Sequence, residues 1–248
     1  MRSRYPSTSN YTYSFGPGPV TPAIKALLVA NVAMFLVGLI VPAVKLRLGL
    51  VPANVVEQFA AWQLVTYLFL HAGVFHILFN MLTLWMFGVE LERMWGSTFF
   101  TKFYFIVGIG AGATQLLASF VPWGPFESIY YMRTIGASGA IYGLLMAYAL
   151  YFPNRPIYMY MVFPIPAKYF VMIMGAISLQ SAIDGPTGVA YLTHLGGIVV
   201  GYVYLKGGRV HLVSEIKYRY LKWRINRMRR KFDVYSGGRS SDVDRRVH

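Results

Sequence analysis

The sequence contains no cysteine. That excludes disulfides, thiolate metal sites and a cysteine nucleophile. Charge is scarce as well: Asp, Glu, Lys and Arg make up 13% of the 248 residues, where a soluble domain carries about 25%. Only 9 residues are acidic, none of them clustered in an apolar run, and no HExxH occurs. His71 and His76 are five apart rather than four. A metalloprotease is therefore disfavoured, and no metal or cofactor is expected. No cleavable signal peptide is expected either. Residues 1–22 hold Arg2 and Arg4 but then run through Pro, Ser, Tyr and Gly without an apolar core. The acid-free start invites comparison with an organelle transit peptide, but its Pro and Gly argue against the amphipathic helix that one needs. No internal repeat is evident.

What the chain has in excess is apolar sequence, 56% of it. A membrane span needs about 20 apolar residues, fewer where it is partly buried in protein. Six runs qualify: about 23–43, 72–91, 99–121, 137–152, 168–183 and 187–205. Too little polar sequence remains to cover a large soluble core. The expected class is an all-α, polytopic membrane protein with a bundle of six transmembrane helices. Its parts are a flexible N-terminal tail (1–21), the membrane domain (22–207) and a basic tail (208–248).

The net charge of +14 is unevenly spread, because residues 206–246 hold 13 of the 23 Lys and Arg. Six spans put both termini on one side. The other side is left with Lys45, Arg47 and Arg133. Cytoplasmic loops collect Lys and Arg, so both termini are expected in the cytoplasm, in a prokaryotic plasma membrane. Residues 209–232 carry Leu221, Ile225, Met228 and Phe232 at helical spacing among basic residues. They read as an amphipathic helix on anionic lipid, each basic side chain near the surface adding about 1 kcal/mol, or as a plain topology anchor. Nucleic acid is not expected as a partner.

Two connections stand out. Residues 44–71, outside, include "FAAWQLVTYLFLHAG", too apolar for a free loop and expected in the membrane interface with Trp62 and Tyr67 as anchors. Residues 153–167, inside, carry four prolines and cannot form a clean span. They are expected to rest on the interface.

Polar side chains within spans are costly and face a protein interior or a water cavity. Span two carries His76 and Asn80, four apart and on one helix face. Span four begins at Ser138 within "TIGASGAIYG", with Tyr142 one turn below. Span six carries His194. Each has a plain alternative. A span serine often bonds its own helix, a histidine can pack or relay protons, and an asparagine can join two helices. Together they supply a nucleophile, a base and two hydrogen-bond donors, the parts of a serine hydrolase. Glycines supply a geometry. Gly139 and Gly143 on span four, and Gly197 and Gly201 on span six, form small-xxx-small faces that let backbones approach. Their contact would bring His194 beside Ser138. A transporter or channel could also use intramembrane His, Asn and Ser, but lacks support from an internal repeat.

"HILFN" on span two, "GASGAIYG" on span four and "HLGGIVVG" on span six of a six-span chain resemble the signature segments of rhomboid intramembrane serine proteases. "ELERMWG", with Glu92 and Gly96, resembles that family's first inside loop. The resemblance covers about residues 22–207. One departure is Trp62-Gln63, where many members have Trp-Arg.

The resemblance implies that Ser138 attacks a peptide carbonyl and that His194 serves as base and then acid. It implies His76, Asn80 and the Ser138 backbone N–H as oxyanion donors, and Tyr142 as the ring on which His194 stacks. Gly136, Gly139, Gly197 and Gly201 support the geometry, and His71 is expected to line the same cavity. Asp184, ten residues before His194, is expected to cap a loop rather than orient the imidazole. The implied substrates are single-span membrane proteins in the lipid bilayer, with anionic lipid at the basic tail. A catalytically inactive rhomboid-like binder is the competing expectation.

Overall fold

The structure, a computed structural model, describes residues 16–121, 129–159, 163–183, 191–207, 221–225 and 227. Asp184 and most of 209–232 lie outside the described residues. Two compact units divide the chain at Lys206 and Gly207. In the second, residues 221–225 are helical, and the Arg227 guanidinium lies 5.3 Å from the Trp223 ring.

The first unit is a bundle of long helices. These are α1 (Pro22–Ile40), α5 (Val74–Trp95), α6 (Ser97–Ala118), α7 (Ser138–Tyr151), α8 (Ala167–Ile183) and α9 (Tyr191–Gly207). They fall on the six apolar runs of the sequence. Between α1 and α5 lie three short helices, α2 (Ala43–Leu48), α3 (Pro52–Glu57) and α4 (Gln63–Thr66), then a 3-10 turn at Tyr67–Phe69. Helices α1 and α5 are long and apolar enough to cross a bilayer on length and composition alone. Helix α6 matches α5 at 22 residues. The outer faces are apolar yet exposed, as at Leu36, Phe75, Phe79, Met172, Ile177 and Val203. Exposed apolar surface on this scale marks a face that meets lipid. The protein is an all-α, six-helix membrane bundle.

Helix α7 is the centre of the bundle, packed against α5, α6 and α8. Buried residues lie all around it, among them Gly139, Ala140, Ile141, Leu144, Leu145 and Tyr148, as expected of a helix enclosed by others. Its length matters for the site. Fourteen residues rise only about 21 Å, against a hydrocarbon core of about 30 Å. A helix this short whose C-terminal end reaches one surface leaves its N-terminal residue, Ser138, roughly 10 Å below the other.

Three expectations change. Tyr67 is fully buried and its hydroxyl donates to the Gly108 carbonyl at 2.6 Å. It is a core residue, not an interface anchor, because its phenol finds its partner on α6. Trp62, by contrast, is exposed. Residues 16–21, expected in a flexible tail, lie against the end of α5: Arg93 donates to the Pro17 and Pro19 carbonyls. Residues 153–167 contain an antiparallel hairpin, β1 (Pro156–Met159) and β2 (Phe163–Pro166), pairing Pro156 with Pro166 and Met159 with Phe163. Each strand of a two-stranded ribbon is an edge, where proline costs no ladder bond on its open side.

Glu92, near the end of α5, ties the bundle together from within. Its carboxylate accepts from the Ala23 and Ile24 N–H groups at 2.9 Å each, from Ser97 Oγ at 2.6 Å and from Thr21 Oγ1. Thr21 precedes α1 but makes no capping bond of its own. An acidic side chain from another helix thus fills the place of the missing cap, where negative charge meets the positive end of the α1 dipole.

Candidate active site

Ser138 opens α7, and its approach is backbone-controlled. Thr134 pairs with Leu50 in an isolated bridge, N–H to carbonyl both ways at 2.8 and 2.9 Å. The Gly136 N–H then donates to the Tyr67 carbonyl at 2.9 Å. Gly136 has φ +132°, which L side chains rarely adopt. A Cβ there would also lie 2.9 Å from His76 Nε2 and 3.6 Å from Ser138 Oγ. Only glycine serves, and the same numbers bring His76 Nε2 and Ser138 Oγ within 3.6 Å of one point beside Gly136.

His194 on α9 comes to Ser138 through the glycine faces. A Cβ on Gly197 would fall 2.0 Å from the Gly139 carbonyl oxygen, and one on Gly201 would fall 3.0 Å from Gly143 Cα. The two backbones are therefore in direct contact. One turn above, His194 Nε2 lies 2.8 Å from Ser138 Oγ. The imidazole stacks on Tyr142 with ring centroids 4.2 Å apart and planes 7° from parallel. His194 is buried, and its Nδ1 has no hydrogen-bond partner among the described residues.

His76 and Asn80 share one face of α5. His76 Nδ1 accepts the Ala72 N–H at 3.3 Å. In a neutral ring the proton then sits on Nε2, the nitrogen that faces Gly136. Asn80 donates one amide hydrogen to the His76 carbonyl at 2.9 Å, which leaves its second for another acceptor. His71, in the turn before α5, is fully buried and meets His76 edge-on with centroids 5.0 Å apart. Burial, and secondarily His76, lower its pKa to about 4, so it stands beside His76 as a neutral ring.

The sequence reading passed over Gln115, Thr134 and Thr193. Gln115 Oε1 accepts from Thr134 Oγ1 at 2.6 Å and from Thr193 Oγ1 at 2.7 Å, all buried. The signal was there, since an amide in an apolar run carries the same cost as the polar residues that were singled out. Gln63 occupies the departure from Trp-Arg. Its Oε1 accepts the Val51 N–H at 3.0 Å and its Nε2 donates to the Arg47 carbonyl at 3.1 Å. The neutral side chain thereby satisfies loop backbone and is itself buried.

A serine hydroxyl against a stacked histidine, at the N-terminal end of the central helix of a membrane bundle, defines a polytopic membrane protein with a hydrolase-like site. Comparison with known proteins narrows the class. A family model described as the rhomboid domain matches residues 58–208, more than half of the chain, which belongs to the rhomboid family. It is 30% identical to Rhomboid-like protein 19 of Arabidopsis thaliana over 206 residues, covering 81% of this chain and 64% of that protein. It is 34% identical to Rhomboid protease GluP of Bacillus subtilis over 151 residues, covering 60% and 26%. It is 31% identical to Rhomboid protein 1, mitochondrial, of Saccharomyces cerevisiae over 147 residues, covering 55% and 38%. The chain spans less than two thirds of the length of each. Rhomboids are integral membrane proteins, and the family includes proteases acting on membrane-protein substrates. Plant, bacterial and mitochondrial relatives do not favour the expected prokaryotic plasma membrane over other membranes.

Proposed function

We propose that this chain is an intramembrane serine endopeptidase that cuts membrane-spanning segments by a Ser138–His194 dyad. The observation that carries the reading is the 2.8 Å contact between His194 Nε2 and Ser138 Oγ. Ser138 Oγ attacks the scissile carbonyl carbon as its proton passes to His194 Nε2. The tetrahedral adduct collapses to an acyl-enzyme while His194 returns the proton to the leaving amine. Water, deprotonated by the same nitrogen, then releases the acyl group.

The negative charge that forms on the carbonyl oxygen needs fixed donors. His76 Nε2–H, the second amide hydrogen of Asn80 and the Ser138 N–H are suited to this task. The last is free of intrahelical bonding because Ser138 opens α7. Preorganised donors in a site shielded from water are worth roughly 3–4 kcal/mol each. The depth of Ser138 suits a substrate whose cut lies within the bilayer. The concentration of Lys and Arg in residues 206–246 supports cytoplasmic termini and a basic tail held on anionic lipid.

The deciding experiment is labelling by a fluorophosphonate probe. Wild-type chain should label and Ser138→Ala should not. Equal labelling of both removes Ser138 as nucleophile.

A further inference from the structure

Among the described residues, Gln115 is the amide that reaches both sides of the dyad. On one side its oxygen holds Thr134, whose backbone is already paired to Leu50, two residues before Gly136 and four before Ser138. On the other it holds Thr193, the residue before His194. Thr193 is wedged between the two. Its hydroxyl faces Gln115, while its methyl crowds Gly139, where a Cβ would lie 2.9 Å away.

His194 requires such a hold. In a triad a carboxylate orients the imidazole through Nδ1, but here Nδ1 has no partner among the described residues. The Tyr142 ring fixes the tilt of the imidazole, since the planes are nearly parallel. Parallel stacking does not stop sliding in the plane of the rings. In-plane position must come from the backbone on which the imidazole hangs, and among the described residues the bond nearest to that backbone from another helix is Thr193 to Gln115.

We infer that Gln115 is a positioning residue that sets the distance between Ser138 Oγ and His194 Nε2, tying the segment before α7 and the start of α9 to one oxygen atom on α6. The inference rests on the dyad reading above. Gln115 touches neither reacting atom. In a low-dielectric interior its two hydroxyl bonds are strengthened, and losing their acceptor leaves two buried hydroxyls unsatisfied.

The test uses full-length chain in lipid vesicles, with a model membrane-spanning substrate and the fluorophosphonate probe. Gln115→Leu should lower kcat about 10-fold or more with KM within about twofold, and slow labelling in proportion. Gln115→Glu keeps a carbonyl-type acceptor in either protonation state and should restore most of the rate. Thr193→Val, which removes the hydroxyl and keeps the shape, should repeat the Gln115→Leu defect, and the double variant should be no slower than either single one. Gln115→Leu at the wild-type labelling rate overturns the positioning role alone. So does a loss that equals the unfolded fraction in thermal melts and that Glu does not restore. A wild-type chain that neither labels nor cleaves overturns the dyad reading, and this inference with it.

Discussion

Gly197 and Gly139 meet without side chains between them: a Cβ on the first would sit 2.0 Å from the carbonyl oxygen of the second. Neither helix backbone can yield the distance that a methyl group needs, so Gly197→Ala must separate α7 from α9. Overpacking of this kind costs about 1–3 kcal/mol where side chains can adjust, and more where they cannot. Gly197→Ala should therefore lower the unfolding temperature in detergent and remove probe labelling together. Gly201→Ala, whose Cβ would lie 3.0 Å from Gly143 Cα, should do less harm. Wild-type melting and labelling of Gly197→Ala would contradict the backbone contact.

Tyr142 supplies His194 with a surface rather than a charge. Tyr142→Phe retains the ring and should keep nearly all activity. Tyr142→Ala loses an aromatic contact worth about 0.5–1.5 kcal/mol, which corresponds to a kcat reduction of up to about 10-fold. A steady-state comparison of the two variants decides it. Equal losses in both would mean that the hydroxyl, not the ring, matters.

Much of this arrangement could be read before the structure, and the reason is periodicity. Helix borders follow apolar runs, and the approach of His194 to Ser138 follows from two glycine pairs spaced four apart on α7 and α9. The parts that escaped depend on partners distant in sequence. Nothing local says that Tyr67 reaches Gly108, that Gln115 joins Thr134 to Thr193, or that Glu92 completes the start of α1 from 68 residues away. The hairpin escaped for a different reason. Four prolines rule out a helix, but they do not distinguish an irregular loop from a ribbon of two edge strands.

The role given to Asn80 has a kinetic signature. With one amide hydrogen occupied by the His76 carbonyl, a single hydrogen is left for an oxyanion. Asn80→Ala should lower kcat about 100-fold or more, as removal of one oxyanion donor does elsewhere, with little change in KM. His76→Ala should behave similarly. A raised KM at constant kcat would reassign these residues to ground-state binding.

Glu92 offers a separation of stability from chemistry. It lies 16 residues beyond His76 on α5, about 24 Å along the helix, so it cannot influence the reacting atoms directly. Its carboxylate is nearly fully buried and accepts bonds from Thr21, Ala23, Ile24 and Ser97. Hydrogen bonds to a charged acceptor contribute about 1.5–3 kcal/mol each and are not additive, so Glu92→Ala should destabilise the fold by at least about 3 kcal/mol. Glu92→Gln, keeping one acceptor oxygen, should fall between. In both variants the fraction that remains folded should label at Ser138 at the wild-type rate. The measurement is unfolding by denaturant in micelles paired with labelling kinetics. A stable Glu92→Ala chain with slowed labelling would show that the end of α5 acts on the site rather than on the fold.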